Sequence, residues 1–450
     1  MMKPLKTIYS YILTVIILFL SSSGKAQDKS QEPLSKAEAI QLTLENNYGI
    51  EVANNNLEIA ENNASLLNSG YLPAVYALAG MNYQIQDSET DRDDGNSFEL
   101  NNAESDNYNA SVNLDYILFD GLGRYYNYQR LKEARNLSQL DARQTIENTI
   151  LQLFSVYYEV ARLTENVEIL EETLRISKDR VLRANYQFDY GQNTKLEVLN
   201  AEVDVTNDSI NLMNNRQQLL NTKRDLNVVM ARNLGTDFVV DTLVAFTPSI
   251  KLQTYTDSAL DNNVRIMQSE SNIELSDYDI KTTRADYLPT VGLTGSYGWN
   301  KNNSPASAFF TGSTQKGTAL GAGLNLTWNL FDGGATTVRY RNAKIARDNQ
   351  ELLKEQIKLE VERDIENARG DYENLLQVYE IQEQNVITNQ NNFERSRERF
   401  NIGLITSIEF RQAQINLLNA ETNKNLAKYE AKYAELQLLQ LIGQLLNVDF

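Results

Sequence analysis

The chain has 450 residues, 42 Lys and Arg against 60 Asp and Glu, a net charge of −18, and neither His nor Cys. An acidic chain argues against nucleic acid as a partner. The missing side chains exclude His-based triads, cysteine nucleophiles, His- or Cys-bearing metal sites and disulfides. No carboxylate pair sits in a hydrolytic pattern, so the reading is no enzyme, no cofactor and no metal.

In chain order, residues 1–26 read as a signal peptide. Lys3 and Lys6 form the charged start, 8–20 is the apolar core, and Gly24-Lys25-Ala26 offers small residues for cleavage. The alternative, a membrane anchor, needs roughly 20 apolar residues. No later segment approaches a spanning helix, so a membrane span elsewhere has to be a barrel.

A helix over 35–68 leads to Tyr71-Leu72-Pro73. A strand at about 74–85 follows, with Val75, Ala77, Ala79, Met81, Tyr83 and Ile85 on one face. Residues 87–106 read as a long acidic loop. The strand at about 108–119 alternates Tyr108, Ala110, Val112, Leu114, Tyr116 and Leu118 against Asn109, Ser111, Asn113 and Asp115. From Arg124 to Tyr190 there is neither Gly nor Pro, room for a helix of about 100 Å. Its apolar seam runs Ile146, Ile150, Leu153, Tyr157, Val160, Leu163, Val167, Leu170, Leu174, in steps of three and four. Gly191 turns the chain into a second run with a heptad seam at Leu196, Leu199, Val203, Thr206, Ile210, Met213, Gln217 and Leu220. The two runs are expected to form an antiparallel hairpin.

Residues 236–255 break the helical pattern and read as a side element, joined by the C-terminal end 443–450. The plan then repeats. Tyr287-Leu288-Pro289 recurs 216 positions after the first such motif. Leu330-Phe331-Asp332-Gly333 recurs 212 positions after Leu118-Phe119-Asp120-Gly121, and Gly403 lies 212 after Gly191. The first repeat thus spans 27–235 and the second 256–442, with a helix to 285, strands at about 290–300 and 319–331 around a polar loop at 301–318, and a hairpin with its tip at Gly403. A repeat this long is a duplicated half-protein rather than a solenoid unit.

Each strand has about ten residues and one apolar face, the pattern of a strand crossing a bilayer. Tyr71, Tyr83, Tyr108, Tyr287, Trp299 and Phe331 fall near strand ends, as interface aromatics do. A soluble sandwich is the competing reading, but it needs a partner for each apolar face, and the remaining chain is helical and already amphipathic. Four strands cannot close a barrel, because the smallest have about eight. The protomer must oligomerise. A soluble coiled-coil scaffold of the envelope explains the helices and leaves the strands unexplained.

With these motifs in order, the chain resembles the TolC-like outer membrane efflux proteins. The carriers are the duplicated helix–strand–strand–helix plan, the Tyr-Leu-Pro and Leu-Phe-Asp-Gly motifs, and the hairpin tips. The second tip, Arg399-Phe400-Asn401-Ile402-Gly403-Leu404-Ile405-Thr406-Ser407-Ile408-Glu409, is close to the family pattern; the first, with Gln192 and Asn193, is looser. The resemblance implies a mainly α fold with a transmembrane β-barrel portion: a homotrimer with one twelve-stranded barrel in outer-membrane lipid and a long periplasmic coiled-coil tunnel. It implies a passive exit duct that meets a periplasmic adaptor (membrane fusion) protein and an inner-membrane efflux pump. Small-molecule efflux is the first reading of its cargo, and type I protein secretion is the alternative on the same fold.

The resemblance also marks residues. Acids shortly after the tip glycine help constrict the opening in such proteins, which points here to Glu197 and Glu409, with Lys195 as a cation for a neighbouring glutamate. The plainer reading is that both are solvated surface glutamates. Gln412 and Ile405 stand where some relatives carry a further acid and a basic partner, so any lock differs here. Gly191 and Gly403 are expected at positive φ. Gln192, Thr194, Leu404, Ile405 and Thr406 flank the turns as adaptor-docking candidates, the alternative for Leu404 and Ile405 being packing within the tip.

Overall fold

The computed structural model describes residues 33–248, 259–306 and 311–447. The signal-peptide reading at 1–26 lies outside them, as do the last part of the inter-repeat segment and the final three residues.

Two short helices open the chain, α1 (Lys36–Asn46) and α2 (Tyr48–Asn63). The single helix expected over 35–68 is broken at Asn47, and the cause is capping. Asn47 leaves helical geometry, and its side-chain oxygen accepts from the N–H groups of Gly49 and Ile50. Its Nδ2 donates to the carbonyl of Val229 at 2.8 Å. The second repeat builds the same device between α5 (Ala259–Asn262) and α6 (Val264–Ala285). There Asn263 caps α6 and donates to the carbonyl of Leu441 at 2.7 Å. Each break therefore ties a short helix to the returning arm of a hairpin.

Two strands follow α2, β1 (Ala74–Asp91) and β2 (Ser97–Phe119), and two follow α6, β3 (Thr290–Ser304) and β4 (Ser313–Thr327). They form one antiparallel sheet in chain order. The expected loops at 87–106 and 301–318 are mostly strand. Pairing continues past Asp87 to Asp91 opposite Ser97, and past Lys301 to Ser304 opposite Ser313. A hairpin ladder needs backbone partners rather than apolar side chains, so acidic and Asn-rich residues extend it. A bulge at Gln86–Ser88 accommodates Asn102 at φ 52°, whose N–H donates to Asp87 Oδ1 at 2.6 Å. β4 stops at Thr327, short of the expected 331; Trp328 has left the ladder and donates its indole N–H to Tyr287 O at 3.1 Å.

Tyr71 and Tyr287 sit where helix becomes sheet, each edge-on to a helix tyrosine, Tyr128 and Tyr340. At the strand exits Asp120 and Asp332 each accept from the backbone N–H four residues on, Arg124 and Thr336. This starts α3 (Gly123–Asp189) and α7 (Ala335–Asn401), each of 67 residues and so about 100 Å long. α7 passes through Gly370 without a break. The returning arms are α4 (Lys195–Val229) and α8 (Ser407–Leu441).

The seam on α3 is buried from Ile150 to Leu170. The seam expected on α4 is not. Leu196, Leu199, Val203, Ile210, Met213 and Leu220 are exposed, while Val198, Ala201, Asp208, Leu212, Thr222 and Leu226 are buried. α4 carries two stripes, and the one containing a buried acid meets α3. The main core lies at the waist, where Leu34, Phe238 and Val240 of the terminal and inter-repeat segments pack with Phe154, Tyr157, Leu436, Leu439 and Leu445. Leu34 bridges Val240 in parallel, and Tyr157 donates its hydroxyl to Leu34 O at 2.7 Å.

Candidate gate and docking site at the hairpin tips

Both hairpins turn through the same motif. Gln192 N–H reaches Gln187 O and Gly191 N–H reaches Phe188 O; Leu404 N–H reaches Arg399 O and Gly403 N–H reaches Phe400 O. These are the paired bonds that close a helix C-terminus on a left-handed residue. Gly191 at φ 70° and Gly403 at φ 79° supply it.

The tips then diverge. Thr406 caps α8 in a full capping box: its hydroxyl accepts from Glu409 N–H, and Glu409 Oε2 accepts from Thr406 N–H at 2.7 Å. These bonds, led by the Thr406 N–H, hold the exposed Glu409 carboxyl below the ordinary glutamate range. At the first tip Thr194 makes no such bond. Glu197 is half-buried, and its Oε2 has no hydrogen-bond partner among the described residues. Lys195 lies over the Phe188 ring, 5.6 Å from its centroid. Among the described residues it makes no ion pair within the protomer.

The docking candidates separate as well. Ile405 packs against the cluster of Phe393, Phe410, Ala413 and Leu417. Phe400 and Phe410 stack with centroids 4.7 Å apart. Leu404 is 64% exposed, with Ile402 and Ile408 exposed beside it and Tyr190 and Leu196 exposed on the first tip. Gln192, Thr194 and Thr406 are exposed polar neighbours. In the sequence Ile402, Ile408 and Tyr190 are legible only as tip residues, and Leu196 falls in the seam expected to be buried, so nothing there marks the four as surface.

Sequence reading missed what joins the two tips. Arg183 of α3 donates to the backbone and side-chain oxygens of Asn401 at 2.5 and 2.6 Å and lies over the Phe400 ring. Deeper, Arg411 of α8 grips Asp208 of α4 through both terminal nitrogens, at 2.8 and 2.6 Å, while Ser177 donates its hydroxyl to the same carboxylate at 2.6 Å. Arg180 pairs with Asp204, which also faces Arg411 at 3.6 Å. Burial lowers the Arg180 guanidinium, opposed by Asp204. Two cations and two anions thus balance in a cluster shared by both hairpins. The available signal was asymmetry: Asp204 and Asp208 correspond by repeat to Asn416 and Ala420, and Arg411 to Leu199.

Two strand pairs joined in one sheet with an apolar face, carried on helices of about 100 Å whose far ends meet in two tied tips, are the parts of an envelope-spanning duct. The comparisons agree. The outer membrane efflux protein family matches residues 39–232 and 256–444, and the chain belongs to that family. It is 22% identical over 384 residues to the outer membrane protein TolC of Vibrio cholerae, covering 85% of this chain and 84% of that one. It is also 22% identical over 340 residues to the proteases secretion protein PrtF of Dickeya chrysanthemi, covering 74% and 70%. Among solved structures, the CmeC outer membrane channel of Campylobacter jejuni superposes with a TM-score of 0.70 at 17% identity, covering 94% and 91%. The chain is an outer-membrane efflux channel. The family is one of channels rather than enzymes.

Proposed function

We propose that three copies of this chain form one passive duct that takes small molecules from an inner-membrane pump, through a periplasmic adaptor docked on the hairpin tips, across the outer membrane. The observation that carries it is the pair of unmet surfaces on a single chain. β1 and β4 are bare edges of 18 and 15 residues, which cannot stand in a bilayer unpaired. The exposed stripe on α4, with exposed Leu352 and Leu359 on α7, asks for a neighbouring copy in the same way. Three copies pair every edge and give twelve strands, wide enough for a channel.

At the closed end, Glu197 and Glu409 would each repeat as a ring that attracts cations and repels its own copies. Glu409 holds a cap as well, so Glu197, with an unpartnered oxygen, is the freer of the two. The ties between Arg183 and Asn401 and between Arg411 and Asp208 restrain the tips of each protomer. Adaptor docking uses Leu404 and its exposed neighbours. Tyr83, Tyr108 and Trp299 share the apolar face near the hairpin ends and anchor the outer interface; Tyr71, Tyr287 and Phe331 serve the inner one.

Type I protein secretion is the second reading, favoured by the likeness to a relative named for protease secretion. The test of docking is Leu404→Asp in a strain that depends on this channel. Trimers should remain in the outer membrane while dye efflux is lost; unchanged efflux would remove the tip from docking.

A further inference from the structure

The helices attach to β1–β4 at one end, so the two hairpin turns point away from the periplasm, and the rows in the middle of the sheet, short of those turns, lie in the outer leaflet. Three successive cross-strand rows there share the apolar face. The innermost aligns Ala77, Val112, Tyr297 and Leu320, and the next Ala79, Ala110, Trp299 and Thr318. The outermost aligns Met81, Tyr108, Lys301 and Lys316.

Two features of these rows call for a ligand. The first is charge. Lys301 and Lys316 are direct cross-strand partners, and like charges so placed repel. Among the described residues neither forms an ion pair. Lys301 lies over the Tyr108 ring, 5.2 Å from its centroid. Asp106, in the next row out on the same face, accepts from Asn303 Nδ2 at 2.7 Å. The second feature is shape. Directly below the lysines, small side chains at Ala77, Ala79 and Ala110 leave a shallow depression of about 370 Å³, walled by Tyr297 and Trp299. It is apolar and opens to the bilayer.

We propose that Lys301, Lys316 and this depression form a site for a phosphorylated glycolipid of the outer leaflet. The lysine pair takes the headgroup phosphate, and one acyl chain lies over the three alanines. A phosphate monoester carries nearly two charges and matches two cations on one row. A phospholipid diester carries one and matches them less well. Trp299 and Tyr108 set the depth, with the aromatic rings and the cations beside Tyr108 at the headgroup level. An anion between the lysines offsets a repulsion that the sheet otherwise retains.

The test is native mass spectrometry of the purified protein, titrated with bisphosphorylated lipid A, dephosphorylated lipid A and phosphatidylglycerol. Wild type should retain bisphosphorylated lipid A most tightly. K301Q/K316Q should weaken it by roughly 25-fold, about fivefold for each lysine at a charged membrane surface, with no change for dephosphorylated lipid A. Ala110→Phe fills the depression and leaves the lysines in place; it should weaken retention several-fold. Both variants change bilayer-facing side chains, and the oligomer mass read in the same spectrum reports assembly. Equal affinity of wild type and K301Q/K316Q for bisphosphorylated lipid A would overturn the site, as would equal affinity of wild type for phosphatidylglycerol.

Discussion

Arg411→Ala tests the reading of the tips most sharply. Arg411 is largely buried, and the Asp208 side chain it holds is 2% exposed. Removing one partner of a buried ion pair costs about 3–5 kcal/mol, because the other charge is left without compensation. Here Ser177 still donates to Asp208, and Asp204 keeps Arg180, so the lower end applies, about 3 kcal/mol. The loss is local to the junction of α4 and α8. Hydrogen exchange should therefore accelerate by roughly 100-fold for the amides from Phe410 to Leu417, while the waist around Tyr157 and Leu439 is unaffected. Asp208→Ala combined with Arg411→Ala removes both charges and should cost less than the single change. A rise of under about threefold in the single variant would refute the claim that this cluster restrains the tips.

Glu409→Ala separates capping from gating. Loss of the box should loosen the first turn of α8, read as faster exchange there, and a role in the constriction should appear as higher conductance or weaker cation preference. No change in conductance removes Glu409 from the gate. The carboxyl is held below the ordinary glutamate value of 4.5 when folded, so its stabilisation is complete above that value and fades as pH falls through the lowered folded value. The α8 start should therefore loosen in acid, and not in Glu409→Ala. At the waist, Gly443 has φ 70°, and a Cβ there would stand 2.3 Å from Asn262 O, whereas its repeat counterpart Ala231 already holds φ 50°. Gly443→Ala should destabilise the waist by more than about 2 kcal/mol, and Ala231→Gly should stabilise it by up to about 1 kcal/mol, checked by limited proteolysis.

Much of the fold was legible because duplication lets weak motifs confirm each other. Tyr71 and Tyr287, or Asp120 and Asp332, carry little information singly. At constant spacing they locate both transitions between helix and sheet, and each pair makes the same contact in the two halves. Periodicity failed where two stripes share one helix. Periodicity points the more apolar stripe of α4 into the hairpin, whereas the hairpin uses the stripe that includes Asp208. Hydrophobicity ranks a surface by its need for cover and does not say which neighbour covers it. The acidic hairpin reads as a loop in the sequence because side-chain polarity hides backbone pairing. At the tips the glycines and their left-handed geometry could be read from spacing. The Arg411–Asp208 and Arg183–Asn401 ties could not, since they join segments 203 and 218 residues apart.

The central claim is that single chains with two bare sheet edges assemble into one conducting duct. The most direct measurement is the oligomer mass of the detergent-extracted protein together with its conductance in a planar bilayer, on the same sample. A trimer giving small, cation-preferring steps is expected. A soluble or monomeric species without conductance would contradict it.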